Sequence, residues 1–133
     1  MFYNYEIITP ANTPEANKQS KEIKLVPGII HYVRVAFPIG SAGLLHVVIR
    51  RPGVQQLWPS NPEGSFIGDD SEYAFKEFYY IPFPAELVID TWNDDDTYSH
   101  SCIVGLAVLP EEAIVPELLL KDVLESIAEY FGV

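Results

Sequence analysis

The stretch DTWNDDDTYSHSC, residues 90–102, brings four carboxylates, one histidine and the single cysteine of the chain within reach of one another. Metal binding, acid/base catalysis and nucleophilic catalysis all use such groups, and the spacing tests each. An EF-hand calcium loop needs glycine at its sixth position and glutamate at its twelfth. Counted from Asp90, those positions hold Asp95 and Ser101. A looser calcium site built from Asp94, Asp96 and backbone carbonyls is the remaining metal candidate. A transition metal would find one imidazole, His100, with flexible carboxylates, while His31 and His46 fall on other predicted strands.

Acid/base chemistry wants two carboxylates about 5–10 Å apart across a cleft. Three consecutive aspartates in a turn point in different directions into water, where a like-charged pair costs only about 1 kcal/mol. Asn and Asp also accept hydrogen bonds from nearby amides in turns. Residues 93–99 are therefore expected to be a solvated turn between strands. Cys102 lies in the apolar run CIVGLAVL and reads as a small buried hydrophobe. Ser99 and Ser101 flank His100 with no orienting partner in the sequence. Neither a GxSxG elbow nor a phosphate-binding glycine loop occurs. The expectation is a protein that is not an enzyme, with no catalytic residue and no cofactor.

Aromatic residues offer a non-catalytic chemistry. Trp58 and Trp92, with Tyr73, Tyr79, Tyr80 and Tyr98, fall near predicted loop ends beside Asn and Asp. That combination can stack and hydrogen-bond a sugar, or can cap a sandwich core with each indole N–H bonded locally.

The elements that must position these groups alternate with period two. Residues 2–8, FYNYEII, form a short strand, followed by a proline-containing linker, so residues 1–20 read as an arm and linker. KEIKLV puts Ile23 and Leu25 on one face. IIHYVRVAF and LLHVVIRR are β-branched strands joined by PIGSAG, which predicts an antiparallel hairpin. EYAFKEFYYI, ELVIDTW and HSCIVGLAVL follow, the last two predicted to pair across the acidic turn, and a central SFI is expected to form a brief edge strand. The core is expected to draw on Ile23, Leu25, Val33, Val35, Val47, Ile49, Phe75, Leu87, Ile89, Ile103 and Val104, although Ile103 and Val104 cannot share a face. Short strands at turn spacings of about ten residues indicate an all-β antiparallel β-sandwich, jelly-roll or immunoglobulin-like, over residues 21–110. Residues 111–133 read as a C-terminal helical segment, because Leu120, Val123, Leu124, Ile127 and Phe131 recur at helical spacing. The whole chain of 133 residues reads as a single domain.

Charge is distributed unevenly. The net charge is −11, which disfavours nucleic acid as a partner because phosphate contacts are made by Lys and Arg. Residues 1–62 carry six Lys/Arg against three Asp/Glu, and residues 63–133 carry two against sixteen. A surface polarised in this way suits a basic partner or a second copy of the chain. MFYNYEII lacks the features of a secretory signal, and no run of 18 apolar residues occurs. No membrane partner and a virion or cytoplasmic location are expected.

The segments TPANTP, PGIIHYVRVAFPIGSAGLLHVVI, QLWPSNPEG, WNDDDTYSH and VLP, taken in order, resemble small uncharacterised β-sandwich proteins encoded in viral and prophage-like gene neighbourhoods. The resemblance covers residues 9–110. It implies a virion decoration or tail-associated component and carries over no catalytic residue. The sequence reading is thus a structural or assembly protein that contacts itself or other subunits. Phe2, Tyr3, Tyr5 and Ile7 of the arm are its candidate contact residues, joined by Trp58 and Trp92. A carbohydrate-binding module is the alternative. A metal-dependent enzyme has only the Asp94 and Asp96 candidates behind it.

Overall fold

A computed structural model describes residues 1–53 and 55–111. The amphipathic helix expected over residues 116–131 lies outside the described residues. Eight strands account for most of the rest: β1 (Phe2–Thr9), β2 (Gln19–Lys24), β3 (Gly28–Phe37), β4 (Leu45–Arg50), β5 (Gln56–Trp58), β6 (Ser71–Ile81), β7 (Glu86–Asn93) and β8 (His100–Pro110). A 3₁₀ turn, Glu15–Asn17, sits in the linker between β1 and β2.

The strands form two antiparallel sheets of four. The front sheet runs β1-β8-β3-β6 and the back sheet β2-β7-β4-β5. First pairs with last, second with seventh, third with sixth and fourth with fifth. This nesting is the connectivity of a jelly roll, an eight-stranded double sheet, and it selects between the two sandwich types the sequence allows.

Two expected pairings are corrected by it. β3 and β4 do not form a hairpin, because the link between them carries the chain from the front sheet to the back sheet. β7 and β8 are likewise in different sheets, and the acidic turn crosses between them. Both links can do so because stacked sheets lie only about 10 Å apart, a distance a few extended residues span. Period-two alternation specifies which face of a strand is apolar, not which strand lies beside it.

The core fills the space between the sheets with residues from alternate positions. Ile30, Val33, Val35 and Phe37 of β3 meet Leu45, Val47 and Ile49 of β4, with Leu87 and Ile89 of β7 and Cys102, Val104, Leu106 and Val108 of β8. The ambiguous phase of β8 resolves to Val104 inward; Ile103 is only half-buried and faces out. Phe75 packs against the core from a half-buried position. A bulge between Ile30 and Tyr32 restores the alternation of β3 on both its neighbours. Gly28 is required where β3 starts, since a Cβ there would stand 2.1 Å from the Leu109 carbonyl oxygen. The SFI segment contributes one isolated bridge, Val47 to Phe66.

The N-terminal strand belongs to this sandwich. β1 pairs along its whole length with β8, from Phe2 opposite Ala107 to Thr9 opposite His100. Of the candidate contact residues of the arm, Ile7 is buried in the core beside Cys102, Tyr3 and Tyr5 pack against the core, and Phe2 is exposed.

Candidate functional site

On the back sheet the outward positions of neighbouring strands fall in register. His46 stands opposite Trp92, and Val48 opposite Asp90, which on its other side faces Ser20. Asp90 is 1% exposed although it lies on the outer face of the sheet. It is compensated by accepting hydrogen bonds from Arg50 Nε at 2.6 Å and Ser20 Oγ at 2.6 Å, with Lys18 Nζ 3.8 Å away. Arg50 also donates to the Gly53 carbonyl at 3.0 Å. The ion pair therefore ties β4, β7 and β2 together, and it forms the floor of a cleft of about 380 Å³ walled by Lys18, Gln56, Glu63 and Trp92. In the cleft the Gln56 amide nitrogen donates to the carbonyls of Pro59, Asn61 and Gly64, so Lys18 and Glu63 are the lining side chains best placed to hydrogen-bond a polyhydroxylated ligand.

Beside the cleft, His46 stacks on Trp92 at 4.9 Å with the rings 6° from parallel. Its Nδ1 is 2.7 Å from Ser65 Oγ and its Nε2 3.0 Å from Asp94 Oδ2. The order Ser–His–Asp is that of a nucleophile relay. Here the imidazole, held flat by the indole, fastens the loop before β6 and the start of the acidic turn to β4.

The acidic turn is organised by its own side chains. Asn93 is buried and donates from Nδ2 to the carbonyls of Thr9, Pro10 and Tyr98, while its Oδ1 accepts from the Asp95 amide. Asp95 Oδ1 accepts from the amides of Thr97 and Tyr98, and Oδ2 lies 2.7 Å from His100 Nε2. The Thr97 amide and then the His100 side chain hold the Asp95 carboxyl below the usual carboxylate range, opposed by desolvation, with the Tyr98 amide adding a lesser lowering effect. The two calcium candidates part company: Asp94 turns to His46, and Asp96 accepts from Thr97 Oγ1 at 2.8 Å. Among the described residues no group of three or more His, Cys, Asp or Glu side chains is placed to hold a metal ion. Burial pushes the Cys102 thiol up to about 12.

The two tryptophans are both buried. Trp58 donates its indole N–H to Glu77 Oε2 at 2.9 Å and meets Tyr79 edge-on, closing the β5/β6 side of the sandwich. Trp92 lines the cleft but is only 8% exposed.

The outer face of the front sheet is different in kind. One row across it holds Leu109, Ile29 and Tyr80, from β8, β3 and β6; the next holds Phe2, Ala107, Tyr32 and Lys76. Phe78 alternates with the inward Tyr79 and is 78% exposed. Phe2, Ile8, Tyr80 and Leu109 are exposed as well, and the ring of Phe2 covers Gly105, where a Cβ would come within 2.8 Å of it. Tyr80 donates its hydroxyl to Glu111, and that bond, more than its modest desolvation, raises the phenol above its ordinary range. Sequence reasoning named Phe2 as a contact residue and Tyr80 as a sugar-stacking candidate, but did not place them in one face and missed Phe78 and Leu109. The available signal was the run EYAFKEFYYI, which is aromatic at both parities and so must show aromatic rings on whichever face is not the core.

No family model matches the sequence, and no curated protein matches it. Among solved structures, a chain of one titled "Structure of infectious bursal disease virus Gx strain" is similar to this chain at 11% identity and a TM-score of 0.28, over 81% of this chain and 32% of that one. This chain thus spans about a third of that one.

Proposed function

We propose that the protein is a non-catalytic assembly component that makes protein–protein contacts through the outer face of its front sheet. The observation that carries this reading is the set of exposed apolar side chains Phe2, Ile8, Phe78, Tyr80 and Leu109 on the outer face of the four-stranded front sheet. Large apolar side chains exposed among charged ones on one face suit a contact surface, and aromatic rings on a rigid sheet lose little entropy on docking. A virion decoration or tail-associated setting follows from the resemblance of residues 9–110 and belongs to the same proposal. The jelly roll itself does not choose, since that connectivity serves viral shells and lectins alike. Carbene footprinting of the concentrated and the diluted protein tests the face directly. Phe2, Phe78, Tyr80 and Leu109 should be protected on concentration, and equal labelling at both concentrations contradicts the reading.

The carbohydrate-binding alternative has one observation in its favour, the cleft that joins Arg50, Asp90, Gln56 and Trp92. Titration calorimetry with neutral oligosaccharides decides it: saturable binding that Lys18→Ala and Glu63→Ala abolish supports it, and no heat removes it.

A further inference from the structure

We infer that β6 pairs with β6 of a second copy of this chain, antiparallel about a two-fold axis through Ala74, so that two front sheets become one. The inference rests on the reading of the front sheet as a contact surface and names the partner and the edge.

Among the described residues β6 is an outer strand of the front sheet, hydrogen-bonded to β3 on one side only. At 11 residues it is the longest of the four edge strands; β1 has eight, β2 six and β5 three. It contains no proline, and Lys76 is its one cation, whereas edges kept from pairing are usually short, interrupted or heavily charged. On the other long edge, the Ile8 carbonyl of β1 accepts from Gln19 Nε2.

The sequence of β6 is also self-complementary. A two-fold axis normal to the sheet keeps outer side chains opposite outer ones, so the axis must pass through a residue and pairs each position with its mirror image about it. An axis at Lys76 faces two ammonium groups, and one at Glu77 faces two carboxylates. At Phe75 or Phe78 the charged outer residues face no opposite charge. Ala74 at the axis sets Glu72 opposite Lys76 twice on the outer face and Tyr73 opposite Phe75 twice on the core face, with the smallest side chain of the strand at the centre. Lys76 makes no ion pair among the described residues, and Glu72 engages Arg34 Nε through one oxygen at 2.7 Å, leaving the other to accept. Tyr73 and Phe75 already stack around Phe66 at the rim of the core. Pairing would extend that aromatic cluster across the junction.

The test is sedimentation equilibrium of the full chain and of Glu72→Lys, Lys76→Glu and the double variant, with circular dichroism to establish that each is folded. Each single change turns two attractive pairs into two repulsive ones and should weaken the dimer by roughly tenfold or more, while the double variant recreates the pairs with reversed polarity and should return to within about threefold of the parent. Single variants that weaken the dimer without recovery in the double variant overturn the Ala74 register. A parent that associates, with all three variants unchanged, overturns the β6 junction and leaves the apolar face as the contact. A parent that is monomeric at every concentration overturns this inference and the assembly reading together.

Discussion

Asp90 shows how far a residue's role depends on what the fold sets beside it. In the sequence it is one of four acids near a turn; in the structure it is a buried carboxylate neutralised by Arg50 and hydrogen-bonded by Ser20, while its neighbours Asp94, Asp95 and Asp96 serve the turn. Removing one member of a buried pair strands the other, at a cost of about 3–5 kcal/mol. Because Arg50 keeps some contact with water, Asp90→Ala should fall at the lower end of that range in urea unfolding. Asp90→Leu combined with Arg50→Met should recover most of the loss, and failure to recover would show that the pair does more than neutralise itself. Asp95 gives a second test. Its folded-state pKa is depressed by the Thr97 amide, His100 and the Tyr98 amide, so its contribution to stability is present above the unfolded value of about 4 and is lost as pH falls through the lower folded value. Acid titration of the melting temperature should therefore be shallower for Asp95→Asn below about pH 4, and an unchanged slope would mean that the turn does not need the charge.

At the scale of elements, the N-terminal strand makes the sharpest claim. β1 lies along β8 with Ile7 opposite Cys102, and the thiol is fully buried and pushed up to about 12. Ellman's reagent at pH 8 should leave Cys102 unmodified in the intact chain and react within minutes once residues 1–9 are deleted; equal protection in the two proteins would contradict the pairing of β1 with β8. This strand also marks the limit of what the sequence made legible. The apolar faces of β2, β3, β4 and β7 follow from alternation, which is why Ile23, Val33, Val35, Val47, Ile49, Leu87 and Ile89 were assigned inward and are buried. The neighbours of each strand were not legible. IIHYVRVAF followed by LLHVVIRR looks like a hairpin to any local rule, and only the closing of the sandwich, which needs β3 between β8 and β6, sends the two strands to opposite sheets. For the same reason Arg50 and Asp90 could each be placed on an outward face while their contact could not be foreseen, since it exists only because β4 lies next to β7. In β8 both faces carry apolar residues, and Ile103 was separated from Val104 only when β1 and β3 fixed the register on either side.

The whole molecule is a sandwich with two unlike outer surfaces. The back face is closed by its own polar network, with Asp90, Arg50, His46 and Trp92 joined beneath the 3₁₀ turn and the loop before β6. The front face leaves aromatic and aliphatic side chains in water. That asymmetry is the basis of the assembly reading, because a face that leaves large apolar side chains exposed has room for a partner. Substitution on the front face should be nearly silent in the isolated fold: Phe78→Ser changes a side chain that is already exposed and should shift stability by less than about 0.5 kcal/mol, whereas association should suffer. Light scattering of the intact chain and of Phe78→Ser across a hundredfold range of concentration is the most direct measurement. The account predicts a mass that rises above that of one chain in the parent and rises less in Phe78→Ser; a parent that remains a single chain at every concentration would contradict it.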